Sequence, residues 1–324
     1  MAVETQPGGV AANGGDARSL RIAFVIMVAV LVIAPFVVYP VFLMKVMCFA
    51  LFACAFNLLL GFGGLLSFGH AMFLGTGGYL AAHSAKIWGF TPELAVLFAT
   101  ACTALLAWLA GLLAIRRQGI YFAMITLALA QMVFFFCLQA PFTGGEDGIQ
   151  AVPRGKLLGM IDLSNNTAMY VFVAVIFLGG FLLIWRIVHS PFGQVLKAIR
   201  ENEARATSLG YDTDRYKLMA FVLSGTLSGL AGGTKSLVFQ LASLTDVHWS
   251  MSGEVVLMTL VGGLGTLFGP VVGAAVIVTM QNYLAQLGAW VTVVQGAIFV
   301  VCVMAFRRGI VGELGALFKP KKPR

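Results

Sequence analysis

The chain has 324 residues, of which 60% are hydrophobic and only 10% are charged, and its mean hydropathy is +0.93. Soluble domains carry about 25% charged residues, so a water-soluble fold of this composition could not cover its own surface. The composition excludes a soluble enzyme or binding module, and it predicts that lipid is the solvent for most of the chain.

Long runs without Asp, Glu, Lys or Arg recur along the sequence. A spanning helix needs roughly 20 apolar residues to cross about 30 Å of hydrocarbon. No alternating strand pattern is visible, so the spans should be helices whose backbone hydrogen bonds close internally. We predict an all-α bundle with spans at about 22–39, 46–64, 67–85, 94–115, 119–140, 168–187, 218–242, 254–266, 269–285 and 289–306.

The charge-free stretch 255–306 leaves the number of crossings open, because it is too long for one helix. Three short crossings give ten spanning helices in total. One crossing with a re-entrant pair gives eight, and the stretch 46–85 allows the same alternative. Either solution places both termini on the same side of the membrane.

Basic residues predict the orientation, because cytoplasmic loops collect Lys and Arg. With both termini inside, sixteen of the twenty-one Lys and Arg residues lie on the inner side. That distribution explains the net charge of +8 without a nucleic-acid partner. The predicted plan is a disordered cytoplasmic tail at 1–20, a transmembrane domain at 21–307, a periplasmic loop at 141–167, a cytoplasmic loop at 189–217 and a basic tail at 308–324 beside anionic lipid.

Two glycine-rich stretches, GGLLSFG at 63–69 and GGLGTLFGP at 262–270, look alike and should interrupt their helices. Transporters place solute sites at interrupted helices, where freed backbone groups meet a polar solute. The alternative is that these stretches are ordinary turns, with His70 a hydrogen-bonded packing residue and Glu254 favoured by its helix dipole. The candidate residues of a solute pathway are Ser67, His70, Glu254, Gly262 and Gly265.

The loop at 189–217 is unusually ionic for this chain, with five Lys and Arg residues, one His and four acidic residues. Residues 194–209 show the periodicity of one short amphipathic helix, which Gly210 should end. A protein partner at the inner face accounts for this charge better than a solvated loop does.

Two series of glycines are spaced four residues apart, which lines one helix face with backbone and lets another helix approach closely. We predict that they serve helix packing, and the alternative is that these faces slide during a transport cycle. The two series are Gly225, Gly229, Gly233 and Gly265, Gly269, Gly273.

Signatures of enzymes and metal sites are missing from the sequence. The stretch GLAGGTKS at 229–236 lacks the Gly-Lys pair of a phosphate loop, and neither HExxH nor GxSxG occurs. The five cysteines lie in apolar runs without a CxxC pair, which is typical of packed free thiols. The chain is therefore predicted to catalyse no reaction, to bind no metal or cofactor and to hydrolyse no ATP itself.

Four stretches resemble permeases of the branched-chain amino-acid importer family, of the LivM type. The stretch GQVLKAIRENEARATSLGYDTDRYKLMAFVLSGTLSGLAGG is similar to the family's coupling region, and FNLLLGFGGLLSFGHAMFLGTGGYLAA is similar to its second and third helices. TLVGGLGTLFGPVVGAAV resembles its later glycine-rich helix pair, and TGGEDGI resembles its outer loop. The matches span roughly residues 50 to 285, nearly the whole membrane domain.

This resemblance implies an ATP-driven importer for branched-chain or related amino acids in the bacterial inner membrane, working by alternating access. Its implied partners are a second, related permease, two cytoplasmic subunits that bind ATP and Mg, and a periplasmic solute-binding protein. The alternative is an ATP-independent secondary transporter or channel for a small polar solute such as urea or an amide.

The loop helix looks like a variant of the Glu-Ala-Ala…Gly motif that seats in the ATPase groove. Its glycine falls seven residues after the glutamate instead of six, and Arg205 replaces the second alanine. The residues implied to couple the chain to the ATPase are Arg200, Glu201, Glu203, Ala204, Arg205 and Gly210. Lys235 stands where the family pattern predicts an uncharged residue.

Overall fold

The computed structural model describes residues 14–157, 159–284 and 309–318, together with 293, 294, 296, 297, 300 and 304. The predicted span 289–306 lies largely outside the described residues, as do residues 1–13 of the predicted amino-terminal tail and the last six residues of the basic tail.

The described chain is all-α apart from two minimal two-stranded sheets. The helices are α1 Gly14–Ile33, α2 Pro40–Asn57, α3 His70–Lys86, α4 Pro92–Ala114, α5 Ile120–Gln139, α6 Asn166–His189, α7 Pro191–Glu201, α8 Glu203–Ser208, α9 Thr213–Phe239, α10 Trp249–Gly262, α11 Gly269–Leu284 and α12 Gly309–Phe318. The two-residue strands are β1 Ile149–Gln150, β2 Lys156–Leu157, β3 Ile161–Asp162 and β4 Leu241–Ala242. Antiparallel pairs join β1 to β4 and β2 to β3.

Four described helices are long and apolar enough to cross a membrane. They are Pro40–Phe62, Pro92–Ala114, Ile120–Gln139 and Asn166–His189. The apolar helices Arg21–Phe36 and Gly269–Leu284 are shorter. The fold class is therefore the predicted helical one with several membrane-capable helices, whereas the number of crossings and the orientation stay predictions.

Helix ends follow local sequence signals. Pro40 and Pro92 begin α2 and α4, where the missing N–H costs nothing and the fixed φ suits the first turn. The side chain of Asn165 accepts a hydrogen bond from the Thr167 N–H and caps α6. The predicted spans 94–115, 119–140 and 168–187 therefore lie within two residues of the observed helices.

Several boundaries differ from the prediction. Helix α1 begins at Gly14, so residues 14–20 of the tail predicted as disordered are helical. The first span, predicted to reach residue 39, ends with a 3₁₀ turn at Phe36, and α2 begins at Pro40 instead of residue 46. The region predicted as a basic tail contains helix α12, which packs against α10 and α11.

Helix α9 lies at the centre of the bundle and packs against α2, α3 and α4. Its close approach depends on small residues. A Cβ at Gly229 would lie 2.5 Å from the Thr103 Cβ, and one at Gly225 would lie 2.6 Å from the Ala107 Cβ. Gly233 likewise faces Ala81 and Ala99. The first glycine series therefore lies at the contact of α9 with α3 and α4.

We expect Gly229→Ala to lower the unfolding free energy by about 1–3 kcal/mol, because the added methyl group overlaps Thr103. Thermal unfolding of the detergent-solubilised protein would measure this loss. Gly179→Ala is the matched control, since a Cβ on that helical glycine meets nothing within 4 Å. Equal stability of the two variants would contradict the assignment of Gly229 to this contact.

The second glycine series is not one helix face, which corrects the prediction for Gly265. Helix α10 ends at Gly262, and Gly263 and Gly265 have φ values of +124° and +73°, which only glycine adopts readily. Gly265 thus lies in the turn between α10 and α11. Gly269 and Gly273 of α11 do pack against α10, where a Cβ at Gly273 would overlap the Met258 carbonyl.

Candidate functional site

The ionic loop forms two helices, not the single helix predicted for residues 194–209. Asn202 separates them with an extended backbone (φ −158°, ψ 98°), and its Oδ1 accepts a hydrogen bond from the Arg205 N–H at 3.0 Å. Ser190 caps α7 in the same way, by accepting from the Gly193 N–H. Asparagine is a strong helix N-cap, so this signal was present in the sequence at Asn202.

Gly210 ends the loop helices, as predicted. It has a φ of +88°, and its N–H donates to the Thr207 carbonyl at 2.9 Å while the Tyr211 N–H donates to the Ala206 carbonyl at 3.2 Å. These two bonds make the Schellman motif, which satisfies the last carbonyls of a helix through a left-handed glycine.

Arg200 points back into its own chain. Its Nη1 donates a hydrogen bond to the carbonyl oxygen of Gly61. Its aliphatic stem lies against Gly64, where a Cβ would come within 2.9 Å of the Arg200 Cγ. Gly61 belongs to the π-helical turn Leu58–Phe62 that ends the first membrane-capable helix, and such turns often occur at functional sites.

Asn57 joins the two interrupted helices. Its Nδ2 donates to the Thr266 carbonyl at 2.8 Å, and its Oδ1 accepts from the Gly265 N–H at 3.0 Å. The side chain is only 2% exposed. The two glycine-rich breaks are thus adjacent, held together by Asn57 and touched by Arg200. Sequence analysis missed Asn57, although a polar residue beside a break in a charge-free run was a usable signal.

Glu203 also binds its own chain. Its Oε1 accepts hydrogen bonds from the Lys217 ammonium and, at 3.0 Å, from the Gln118 Nε2. Lys217 is 2% exposed and lies in the first turns of α9. Glu203 therefore fastens α8 to the central helix and to the α4–α5 turn.

The remaining residues implied by the coupling motif are exposed. We call Glu201, Ala204, Arg205, Leu209 and Tyr211 the outward face of the loop. Leu209 is 71% and Tyr211 is 40% exposed, which is a large apolar exposure on an otherwise ionic surface. Beside this face, burial lowers the pKa of Lys197, whose ammonium lies 5.6 Å from the centre of the Phe62 ring.

His70 and Ser67 lie in the packed interior, and both are fully buried. The His70 Nε2 hydrogen-bonds with the Ser224 Oγ at 2.8 Å, and the ring meets Phe56 edge to face with centroids 4.9 Å apart. The Ser67 Oγ accepts from the Gly69 N–H at 3.2 Å. This geometry fits the alternative in which His70 is a hydrogen-bonded packing residue, and it does not place either side chain on an open pathway.

Glu254 lies at the other end of the bundle, away from the loop. It accepts a hydrogen bond from the Gln281 Nε2 at 3.0 Å and lines a cavity of about 450 Å³. Lys235 lines the same cavity and is ion-paired with Asp246. The pair accounts for the charge of Lys235, which sequence analysis left unexplained.

No metal site is indicated among the described residues, where no group of three or more His, Cys, Asp or Glu side chains could hold an ion. Cys48, Cys54 and Cys137 are buried free thiols, and Cys102 is partly buried. The predicted packing role of these four cysteines agrees with their placement, whereas Cys302 lies outside the described residues.

Comparison with known proteins shows which family the sequence matches. A family model described as "branched-chain amino acid transport system / permease component" matches residues 40–303. The chain is 23% identical over 288 residues to the high-affinity branched-chain amino acid transport system permease protein LivM of Salmonella typhimurium, a match that covers 82% of this chain and 68% of that protein. LivM of Escherichia coli K12 is 24% identical with the same coverage.

A sugar permease is also similar. The ribose import permease protein RbsC of Bacillus subtilis is 29% identical over 274 residues, which cover 76% of this chain and 81% of that protein. No solved structure matches the chain.

Proposed function

Because the chain belongs to the family of permease components of branched-chain amino acid transport systems, we propose that it is the membrane-spanning subunit of an ATP-binding-cassette importer. In this proposal it lies in the bacterial inner membrane and carries branched-chain or related amino acids. It works with a second, related permease, two cytoplasmic ATP-binding subunits and a periplasmic solute-binding protein. A permease of this family has no catalytic role of its own, so the ATP and Mg belong to the partner subunits.

One structural observation supports this function above the others. The outward face of the loop is exposed, while Arg200 and Glu203 on its inward side hold it to the membrane helices. A surface with exposed leucine and tyrosine suits a protein partner. The inward contacts would carry a displacement of that partner to the π turn 58–62, to the break at 263–266 and to α9.

The mechanism follows from this arrangement. Closure of the ATP-binding subunits moves α7 and α8 together. Asn202 ends α7 and caps the start of α8, and Gly210 ends α8, so hydrogen-bonded caps fix the ends of both helices. Arg200 then pulls on the Gly61 carbonyl, and Asn57 passes the movement to the turn before α11. Both interrupted helices therefore move as one unit, which is the two-state element that alternating access requires.

The outward face can be tested by one substitution. We expect Leu209→Asp to reduce copurification of the ATP-binding subunits, because a charge replaces an apolar side chain that is 71% exposed and would be desolvated at the interface. A loss of about tenfold or more corresponds to about 1.4 kcal/mol of binding free energy.

Ile161→Asp is the matched control for this pull-down, since Ile161 is 52% exposed in β3 of the predicted periplasmic loop. Equal recovery of the ATP-binding subunits with both variants would contradict docking at the outward face.

The substrate class is tested by competition, because both amino-acid and sugar permeases are similar to this chain. Uptake of labelled leucine by the complete assembly in proteoliposomes should fall when unlabelled isoleucine or valine is present. Ribose and xylose should leave it unchanged. Uptake of ribose with no leucine uptake would overturn the amino-acid assignment while leaving the importer assignment intact.

A further inference from the structure

The cavity beside Glu254 lies at the end of the bundle opposite the ionic loop. Its walls come from the first three turns of α2, the last turns of α9 and α11, the first turns of α10 and the segment 241–246 that follows α9. Along α9, Lys235 is about 27 Å from Lys217, since a helix rises about 1.5 Å per residue. If the loop is cytoplasmic, this cavity opens towards the periplasm, where a binding protein would release its solute.

One charge pair in the cavity wall is already satisfied. The Lys235 ammonium is ion-paired with the Asp246 carboxylate, and their side chains are only 15% and 13% exposed. The same ammonium lies 5.2 Å from the centre of the Phe49 ring. These groups neutralise one another, so they shape the cavity without demanding a charged ligand.

The other two charges of the cavity, on Lys45 and Glu254, have no ion-pair partner among the described residues. Among the described residues, the ion pairs join Arg215 to Asp212, Lys217 to Glu203 and Lys235 to Asp246. Lys45 and Glu254 line the same cavity, and neither belongs to any of these three pairs. The Glu254 carboxylate binds the neutral amide of Gln281. An ammonium and a carboxylate that lack an ion-pair partner among the described residues therefore face one space.

We propose that this cavity binds the zwitterion of an α-amino acid, with Lys45 on its carboxylate and Glu254 on its ammonium group. Phe49, Phe239 and Met251 supply apolar wall for the side chain. The volume of about 450 Å³ is within the usual range of ligand sites. A neutral sugar offers no charge to either group, and burying unpaired charges is costly, so the site favours amino acids. The inference rests on the proposed function and specifies the substrate chemistry of that importer.

Binding of labelled leucine to the purified complete assembly, without the periplasmic binding protein, tests the site. Two competitors each carry half of the zwitterion: 4-methylpentanoate has only the carboxylate and 3-methylbutylamine has only the ammonium. In the unsubstituted protein leucine should bind more tightly than either. Lys45→Met should weaken leucine about 10- to 100-fold, the effect of losing one charged hydrogen-bond partner, and should leave 3-methylbutylamine unchanged.

Glu254→Gln should show the opposite pattern, weakening leucine and leaving 4-methylpentanoate unchanged. Lys86→Met and Glu146→Gln are the matched controls, because both residues are exposed at the same end of the bundle and outside the cavity. Unchanged leucine binding in both cavity variants, or an equal loss of all three ligands, would overturn the proposal. If that happens in an assembly that still imports leucine, only the site is wrong; if the assembly imports no amino acid, the proposed function fails.

Discussion

ATP-driven uptake should fall at least about tenfold when Arg200 is replaced by alanine, while the ATP-binding subunits still assemble with the chain. The guanidinium is the link between α7 and the Gly61 carbonyl, and its stem covers Gly64. Hydrogen bonds to charged groups contribute about 1.5–3 kcal/mol, enough to change the population of a coupled state by tenfold or more. Uptake into proteoliposomes and the ATPase rate are measured together. We expect ATP hydrolysis to persist while uptake falls.

Arg215→Ala is the control for Arg200→Ala. Arg215 lies in the same region, is 83% exposed and pairs with Asp212 at the surface, where an ion pair contributes little. Its loss should leave uptake unchanged. Normal uptake by Arg200→Ala would contradict transmission through Gly61, and loss of assembly in that variant would assign Arg200 to docking instead.

The second large effect is expected at Asn57. Asn57→Ala removes both hydrogen bonds between the two interrupted helices and leaves the Gly265 N–H and the Thr266 carbonyl without their partner. Each unsatisfied buried group costs about 1–3 kcal/mol, so we expect the unfolding free energy to fall by about 2–4 kcal/mol. Thermal unfolding in detergent measures this, and uptake should fall with it.

Asn165→Ala provides the comparison for Asn57→Ala, because it removes a single helix cap and should cost only about 1 kcal/mol. If Asn57→Ala were no more destabilising than Asn165→Ala and transport were normal, the two breaks would not depend on the Asn57 bridge.

Local features of the fold were predictable because they depend on neighbouring residues. Pro92 begins α4, and the run of apolar residues that follows it ends near a pair of arginines, so composition alone located this helix. Gly210 was predictable as a helix end for the same reason. The split of the loop helix at Asn202 was equally local, and giving more weight to asparagine as a cap would have found it.

Contacts between distant parts of the chain could not be predicted. Arg200 and Gly61 are 139 residues apart, and Asn57 and Thr266 are 209 apart. A single sequence indicates that both breaks exist but not that they touch. For the same reason Arg200 and Glu203 were predicted as contacts to a partner, whereas their side chains bind their own chain and the outward face is formed by their neighbours.

Two lysines were predicted to lie outside the helices but lie within them. Lys217 was assigned to the loop and Lys45 to the turn before a span, because charges are rare inside membrane helices. Both lie within helices, and each is near an end of the bundle: Lys217 is ion-paired with Glu203, and Lys45 lines the cavity beside Glu254.

The central claim is that this chain moves solute only when partner ATPases act on α7 and α8. Leucine uptake into proteoliposomes containing both permeases and the binding protein tests it most directly, with the ATP-binding subunits either present or omitted. We expect accumulation with the ATP-binding subunits and ATP, and no accumulation without them. Equal uptake in vesicles that lack the ATP-binding subunits would contradict the account.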